Sequence, residues 1–119
     1  MNWYLLQTKP NAHFTACANL GRQGFDVFLP LIIKTTKNSG KFLDIKAPLF
    51  PGYLFIGSSI DPIPWKSVKG TRGISKPVTL DGVYRSVNPC IIEGLQRRCD
   101  EHGVFKSLHE FDLGDRVKI

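Results

Sequence analysis

The stretch Pro48-Leu49-Phe50-Pro51-Gly52-Tyr53-Leu54-Phe55-Ile56 constrains the fold more than any other part of the chain. Its two prolines fix their own φ and push the residues before them toward extended geometry. Gly52 lets the backbone turn, or pass close to a neighbour, without a side chain in the way. Tyr53 to Ile56 then form a short apolar run closed by Gly57-Ser58-Ser59, the length and bounding of an interior strand. Alternation puts Tyr53 and Phe55 on one face and Leu54 and Ile56 on the other. A strand that is apolar on both faces needs cover twice. One face meets the core, and the other meets helices or a partner.

The rest of the 119 residues is enough for a single core. No apolar run approaches the ~18 residues of a membrane span. Met1-Asn2-Trp3-Tyr4-Leu5-Leu6 lacks the basic start and cleavage site of a secretory signal. Sixteen Lys and Arg against ten Asp and Glu give a net charge of +6. That balance favours an anionic partner, nucleic acid before membrane. Cys17, Cys90 and Cys99 are an odd set without a C-x-x-C pair, which suits a reducing, cytoplasmic setting rather than a disulfide framework. His13 with Cys17, and Cys99 with His102, are each half of a metal-ligand spacing. The paired short-range ligands of structural zinc are missing, so buried inert thiols are expected.

In chain order, Trp3 to Thr8 reads as a strand stopped at Lys9-Pro10. A helix follows from an Asn11 cap to Gln23, with Phe14, Cys17, Ala18 and Gly21 as its core stripe. Thr15, Asn19, Arg22 and Gln23 form its polar face, a candidate contact surface. Phe25 to Ile33 reads as a strand kinked at Pro30. Thr35 to Lys41 reads as a basic loop flanked by Lys34, Lys37, Lys41 and Lys46, from which Phe42 to Ile45 returns as the second arm of a hairpin. Asp61-Pro62 starts a short helix carrying Ile63, Trp65 and Val68. Ile74 to Leu80 and Val83 to Val87 pair across an Asp81-Gly82 turn. Asn88-Pro89 caps a last helix whose apolar side is Ile91, Ile92, Leu95 and Cys99, ending at Gly103. Strands alternating with helices predict an α+β antiparallel sheet flanked by helices, a ferredoxin-like sandwich.

Catalytic patterns are lacking. His13, His102 and His109 stand beside no nucleophile motif, and neither G-x-S-x-G nor H-E-x-x-H occurs. Gly70-Thr71-Arg72-Gly73 lacks the spacing of a phosphate-binding loop. No enzyme and no cofactor are expected. Lys9, Arg22, Lys69 and Arg72 instead fall at loop or helix-end positions where side chains reach phosphates, with Gln23 or Thr71 able to hydrogen-bond a base edge.

The motif Pro48-Leu49-Phe50-Pro51-Gly52-Tyr53-Leu54-Phe55 resembles the central motif of the NusG family of transcription elongation factors. Trp3-Tyr4-Leu5-Leu6, Leu20, Gln23-Gly24-Phe25, Phe28-Leu29-Pro30, Val68-Lys69-Gly70-Thr71-Arg72-Gly73 and Leu113-Gly114-Asp115-Arg116-Val117 follow the family in order. Trp3-Tyr4-Leu5-Leu6 with Lys9, and Thr71-Arg72-Gly73-Ile74-Ser75, look most like the specialised RfaH branch. Trp65 with Val68, Lys69 and Thr71 looks more like the general factor.

The resemblance implies an N-terminal NGN domain over 1–103, then a linker and the start of a missing KOW domain over 104–119. It implies a monomeric, cytoplasmic antitermination and elongation factor that docks on the clamp helices of the largest RNA polymerase subunit. Phe50, Tyr53, Phe55, Ile92 and Leu95 match the docking positions. Lys9, Arg22, Gln23, Thr71 and Arg72 match the surface that contacts the non-template DNA strand, and Lys69 joins them as a nucleic-acid-binding candidate by its helix-end position. Ala12, Thr15 and Asn19 depart from the larger or basic residues at other recognition positions. Pro64-Trp65-Lys66 replaces the His-Thr-Thr segment that bridges to the opposite polymerase lobe. Ribosome or Rho contacts would run through the missing KOW domain. A free-standing RRM-like nucleic-acid binder is the alternative, and it requires aromatics exposed on the sheet beside basic residues.

Overall fold

The computed structural model describes residues 1–106. Chain order is β1 (Asn2–Thr8), α1 (His13–Arg22), β2 (Asp26–Phe28), β3 (Leu31–Asn38), β4 (Lys41–Pro48), β5 (Tyr53–Ser58), α2 (Trp65–Lys69), β6 (Ile74–Pro77), β7 (Thr79–Leu80), β8 (Val83–Tyr84) and α3 (Pro89–Arg97). The main sheet has the order β2-β5-β1-β6, and its neighbouring pairs are antiparallel. The strand expected from Tyr53 onward is therefore central, between β2 and β1. The α+β antiparallel architecture expected from the sequence is present.

Register assigns the two faces. Leu6 stands opposite Leu54, and Tyr4 opposite Ile56. On this face Leu6, Leu54 and Ile56 pack with Ala16 and Leu20 of α1, Val68 of α2, and Phe25, Ile63 and Ile74. On the other, Leu5 is opposite Phe55, which is opposite Phe28. There Phe28, Phe55 and Ile92 form a second buried cluster, joined by Trp3, Leu5, Val87, Leu95 and Cys99. The sheet is thus covered by α1 and α2 on one side and by α3 on the other. Asn88 starts α3 as the sequence indicates, its side-chain oxygen accepting from the Cys90 N–H at 2.9 Å.

Several local expectations are corrected. The stripe of α1 is rotated by one residue: Ala16 and Leu20 are buried, while Phe14 is 53% exposed and Ala18 and Gly21 face out. The Gly73 backbone comes against the α1 backbone here, where an added β-carbon would meet Ala12 and Ala16. Helix α1 has no side-chain cap; Asn11, at φ 57, belongs to the preceding turn. Pro30 does not kink one strand but separates two, since β2 joins the main sheet and β3 forms a separate two-stranded sheet with β4. The β3–β4 ladder runs to Asn38 opposite Lys41, so most of the expected loop is strand. Ser39 and Gly40, both at positive φ, make a two-residue turn. Helix α2 begins at Trp65 after Pro64, without a cap from Asp61. The strand from Ile74 stops at Pro77 and pairs with β1; only Thr79–Leu80 pairs with Val83–Tyr84, across the Asp81-Gly82 turn. Helix α3 ends at Arg97, short of Gly103, and Ile91 is exposed.

Past α3, Asp100 closes a turn by accepting from the N–H groups of His102 and Val104. Those two bonds hold its carboxyl below the usual carboxylate range. Val104 then bridges Leu31, and Phe105 bridges Cys99. The expectations for His109 and for the Leu113-Gly114-Asp115-Arg116-Val117 motif fall outside the described residues. Among the described residues no helix is long and apolar enough to cross a membrane, and no group of three metal-ligating side chains occurs.

Candidate functional site: a half-open aromatic patch and a polar cluster across the sheet

The first group of site residues divides between surface and interior. Alternation along β5 puts Tyr53 on the α3 side, one row beyond Phe55, with Gln7 beside it on β1 and Lys76 next to Gln7 on β6. Helix α3 covers the Phe55 row but leaves this row open. Phe50 is 40% exposed and Tyr53 37%, whereas Phe55 is 7% and Ile92 1%. Phe55 stacks on Phe28 at 5.9 Å and receives the edge of Phe50 at 6.2 Å. Phe55 and Ile92 are therefore not part of an accessible surface here. They are the floor against which Phe50 and the half-buried Leu95 pack, with Tyr53 one row along β5.

The proline turn sets that placement. Gly52 has φ 86, and its carbonyl accepts from the Thr8 N–H at 2.8 Å. The Tyr53 N–H returns to the Phe50 carbonyl at 3.1 Å. The turn is tied to the end of β1, which fixes Phe50 beside the start of β5.

The second group converges from distant parts of the chain. The Lys9 N–H donates to the Gly73 carbonyl at 2.9 Å, which brings the end of β1 to the turn after α2. Asn19 donates to the Arg72 carbonyl at 3.5 Å and accepts from Arg22 at 3.2 Å. Gln23 donates to Thr71 Oγ1 at 2.7 Å and to the Asn19 carbonyl at 3.4 Å. Thr71 is buried, and its hydroxyl donates to the Ser67 carbonyl at 2.8 Å. Its hydroxyl is spent inside the protein, so Thr71 supports Gln23. The guanidinium-bearing Arg22 and Arg72 and the amine-bearing Lys9 are exposed. Lys69 is turned elsewhere: its amine lies 5.4 Å over the ring of Tyr84, itself stacked on Trp65 at 4.1 Å. Trp65 of the Pro64-Trp65-Lys66 segment is thereby committed to an internal stack.

Ser67 is the member that the sequence did not assign, and Asn19 was placed only on the polar face of α1. Asn19 had a visible signal, sharing a helical face with Arg22 and Gln23, but its bond to Arg72 joins residues 53 apart. Ser67 acts through its backbone carbonyl, which leaves no trace in residue type. The sheet face under α3 carries the buried rings and the α1 face carries the polar cluster, so the two groups lie on different sides. A separate cavity of about 640 Å³ opens between the β3–β4 hairpin and the start of α1, lined by Pro10, His13, Ile32, Ile45, Ala47 and Pro48 among others. It includes neither group.

Comparison with known proteins agrees with this frame. Residues 1–97 match the family model described as NusG, transcription termination factor nusG. A solved structure titled "Domain interaction in Thermotoga maritima NusG" is similar in fold, with a TM-score of 0.54 at 18% identity. The likeness covers 81% of this chain and 55% of that one, so the chain spans about half the length of that relative. With its motifs in order, its sheet between helices, and the family model matched across residues 1–97, the chain belongs to the NusG family.

Proposed function

We propose that this chain supplies the NGN domain of a transcription elongation and antitermination factor, which docks on the RNA polymerase clamp helices and steadies the non-template DNA strand without catalysis. The observation that carries the docking half is the row Phe50–Tyr53. These are two aromatic side chains left open at the edge of α3, with Phe50 braced by Phe55, itself stacked on Phe28. Aromatics held rigidly on a buried floor lose little side-chain entropy on binding and concentrate affinity in few contacts. Leu95 extends the patch on α3, and Ile92 fixes that helix to the sheet. An apolar helical pair fits such a row as knobs against a groove.

The strand contact is supported by the cluster on the other side of the sheet. Lys9, Arg22 and Arg72 stand exposed around Gln23, and flexible cations at loop and helix ends match phosphates. Lys69 lies over Tyr84 and joins them only by leaving that ring. Within the family we place the chain with the specialised, RfaH-like branch, on Trp3-Tyr4-Leu5-Leu6, Lys9 and Thr71-Arg72-Gly73-Ile74-Ser75. The NGN module is taken as 1–103, with 104–119 leading toward a KOW domain. A base-stacking, RRM-like role is left with the open Tyr53, in a row with Gln7 and the exposed Lys76, because Phe28 and Phe55 lie beneath α3.

Two measurements test the two halves. Co-purification with RNA polymerase is expected to be lost in the double variant Phe50→Ala, Tyr53→Ala, and an unchanged yield ends the docking assignment. Binding of single-stranded DNA is expected to weaken with salt, with a shallower slope in Lys9→Ala, Arg72→Ala. An unaltered slope removes the strand contact.

A further inference from the structure

We infer that the outer edge of β3 is a strand-docking site, and that residues 107–112 of this chain are its occupant, running parallel to β3 as a third strand of the hairpin ribbon.

The Ser39-Gly40 turn joins Asn38 to Lys41 as the last bonded pair of the β3–β4 ladder. Bonded pairs alternate along an antiparallel ladder, so Ile32, Lys34 and Thr36 also spend their backbone groups on β4. Leu31, Ile33, Thr35 and Lys37 turn theirs away from it. At Leu31 that outward edge is already in use. Its N–H donates to the Gly103 carbonyl at 3.0 Å, and its carbonyl accepts from the Phe105 N–H at 2.6 Å. Those two bonds are the repeat of a parallel ladder, with Val104 as the partner of Leu31. Further along, among the described residues, the outward groups of Ile33, Thr35 and Lys37 have no backbone partner, and all three residues are exposed. An open edge that continues an existing bridge is a template for the next residues of the bridging segment.

Direction and charge both suit the chain's own continuation. Lys106 donates its N–H to the Arg98 carbonyl at 2.9 Å, on the side away from β3, as a third strand in this register requires. The register set by Val104 puts Lys106 beside Ile33, Leu108 beside Thr35 and Glu110 beside Lys37. Within 31–48, Lys34, Lys37, Lys41 and Lys46 face the single carboxylate of Asp44, which already accepts from Thr35 at 2.7 Å. Among the described residues none of these lysines is in an ion pair. Residues 107–112 bring Glu110 and Asp112 and no lysine or arginine. Glu110 falls across from Lys37, and Asp112 arrives at the turn before Lys41. The docking starts from a residue already bonded to β3, so little loop-closure entropy opposes it. It closes the open edge of β3, and the chain from 113 onward then leaves from the tip of the basic hairpin rather than from the end of α3.

Amide hydrogen exchange on the full chain tests the docking, with the two edges of the ribbon as site and control. Ile33, Thr35 and Lys37 point their N–H groups out from β3, whereas Phe42 and Lys46 point theirs out from β4. After correction for intrinsic rates, the β3 set is expected to exchange about tenfold or more slowly than the β4 set. In the parallel register His109 gives its N–H to β3, and Leu108 points its own away. His109→Pro is therefore expected to remove the protection at Lys37, while Leu108→Pro retains it. Glu110→Lys lowers the protection, and Lys37→Glu combined with Glu110→Lys restores it. Equally fast exchange at the two edges overturns the docking. Protection unchanged in both proline variants overturns the choice of occupant, and loss in both alike overturns the register. Protection that grows with protein concentration gives the edge to a second copy and ends the assignment to residues 107–112.

Discussion

Gly73 is packed so closely on α1 that a β-carbon added to it would stand 2.9 Å from the Ala16 backbone nitrogen and 2.9 Å from the Ala12 carbonyl oxygen. Both obstacles are backbone and cannot swing aside. Gly73 also has φ 96, a conformation that side chains resist. The same residue joins Lys9 to Arg72, so its fit sets the spacing of the polar cluster. Gly73→Ala is expected to cost about 2–4 kcal/mol in urea denaturation, combining torsional and steric terms. Gly24→Ala is the control. Gly24 has φ 91 but open space around its missing β-carbon, so that change should cost about 1 kcal/mol. Equal losses at the two positions would show that the close approach to Ala16 has no energetic weight.

The division between floor and surface predicts that stability and binding separate. Phe55 and Ile92 fill the cluster under α3, so Phe55→Ala should cost about 3–5 kcal/mol and Ile92→Ala about 2–5 kcal/mol. Phe50 keeps an edge contact to Phe55 but is otherwise open, and its removal should cost about 1 kcal/mol. The reverse order holds for polymerase affinity measured on folded protein, where Phe50→Ala and Tyr53→Ala should each lower it about tenfold or more. A Phe50→Ala variant that unfolds as readily as Phe55→Ala would move Phe50 from the surface into the core.

What the sequence disclosed follows the strength of local constraint. The proline-bracketed strand, the Asn88 cap and the Asp81-Gly82 turn are each dictated by residues within a few positions, and each appears where expected. So does the fold class, since the two apolar faces of β5 require cover on both sides. The α1 stripe was misread because Phe14 outweighs Ala16 on any hydrophobicity count. The fold instead turns Ala16 into the core, where the Gly73 backbone, 57 residues away, comes against the helix backbone. The tip of the β3–β4 hairpin reads as loop from Thr35 to Lys41 because Thr35, Thr36 and Lys37 are polar, yet a two-stranded ribbon open to solvent needs no apolar face. Within the candidate site, residue types were legible and burial was not. The proline turn does mark Phe50 as a ring more open than Phe55, but nothing local shows that Thr71 spends its hydroxyl on Ser67.

Burial pushes the Cys17 thiol up from its ordinary 9.0 to about 11. The folded chain therefore holds this proton more tightly than the unfolded chain does. Stability from this source is fully present below pH 9 and is lost as pH rises through the window toward about 11. The denaturation midpoint should fall across that window, and Cys17→Ala should fall less than the parent. The same burial should make Cys17 slow to alkylate at pH 8 compared with the exposed Cys90. Parallel midpoint curves for the parent and Cys17→Ala would remove the linkage.

Asn88 controls the cover over the second core cluster from one end. Its side-chain oxygen takes the Cys90 N–H at 2.9 Å, satisfying one of the donors that the first turn of α3 leaves open. Pro89, following at the first helical position, has no N–H to satisfy. Without the cap the first turn frays, and the Val87 N–H bond to the Trp3 carbonyl at 2.7 Å becomes the nearest tether of α3 to the sheet. Asn88→Ala should cost about 1 kcal/mol, and Asn88→Ser, which keeps an acceptor, only a few tenths. Fraying should appear as faster amide exchange at Cys90 and Ile91 while Phe55 and Leu54 on the central strand stay protected. Faster exchange along β5 as well would mean that α3 and the sheet open together, and that the Phe50–Tyr53 patch cannot loosen without unfolding the domain.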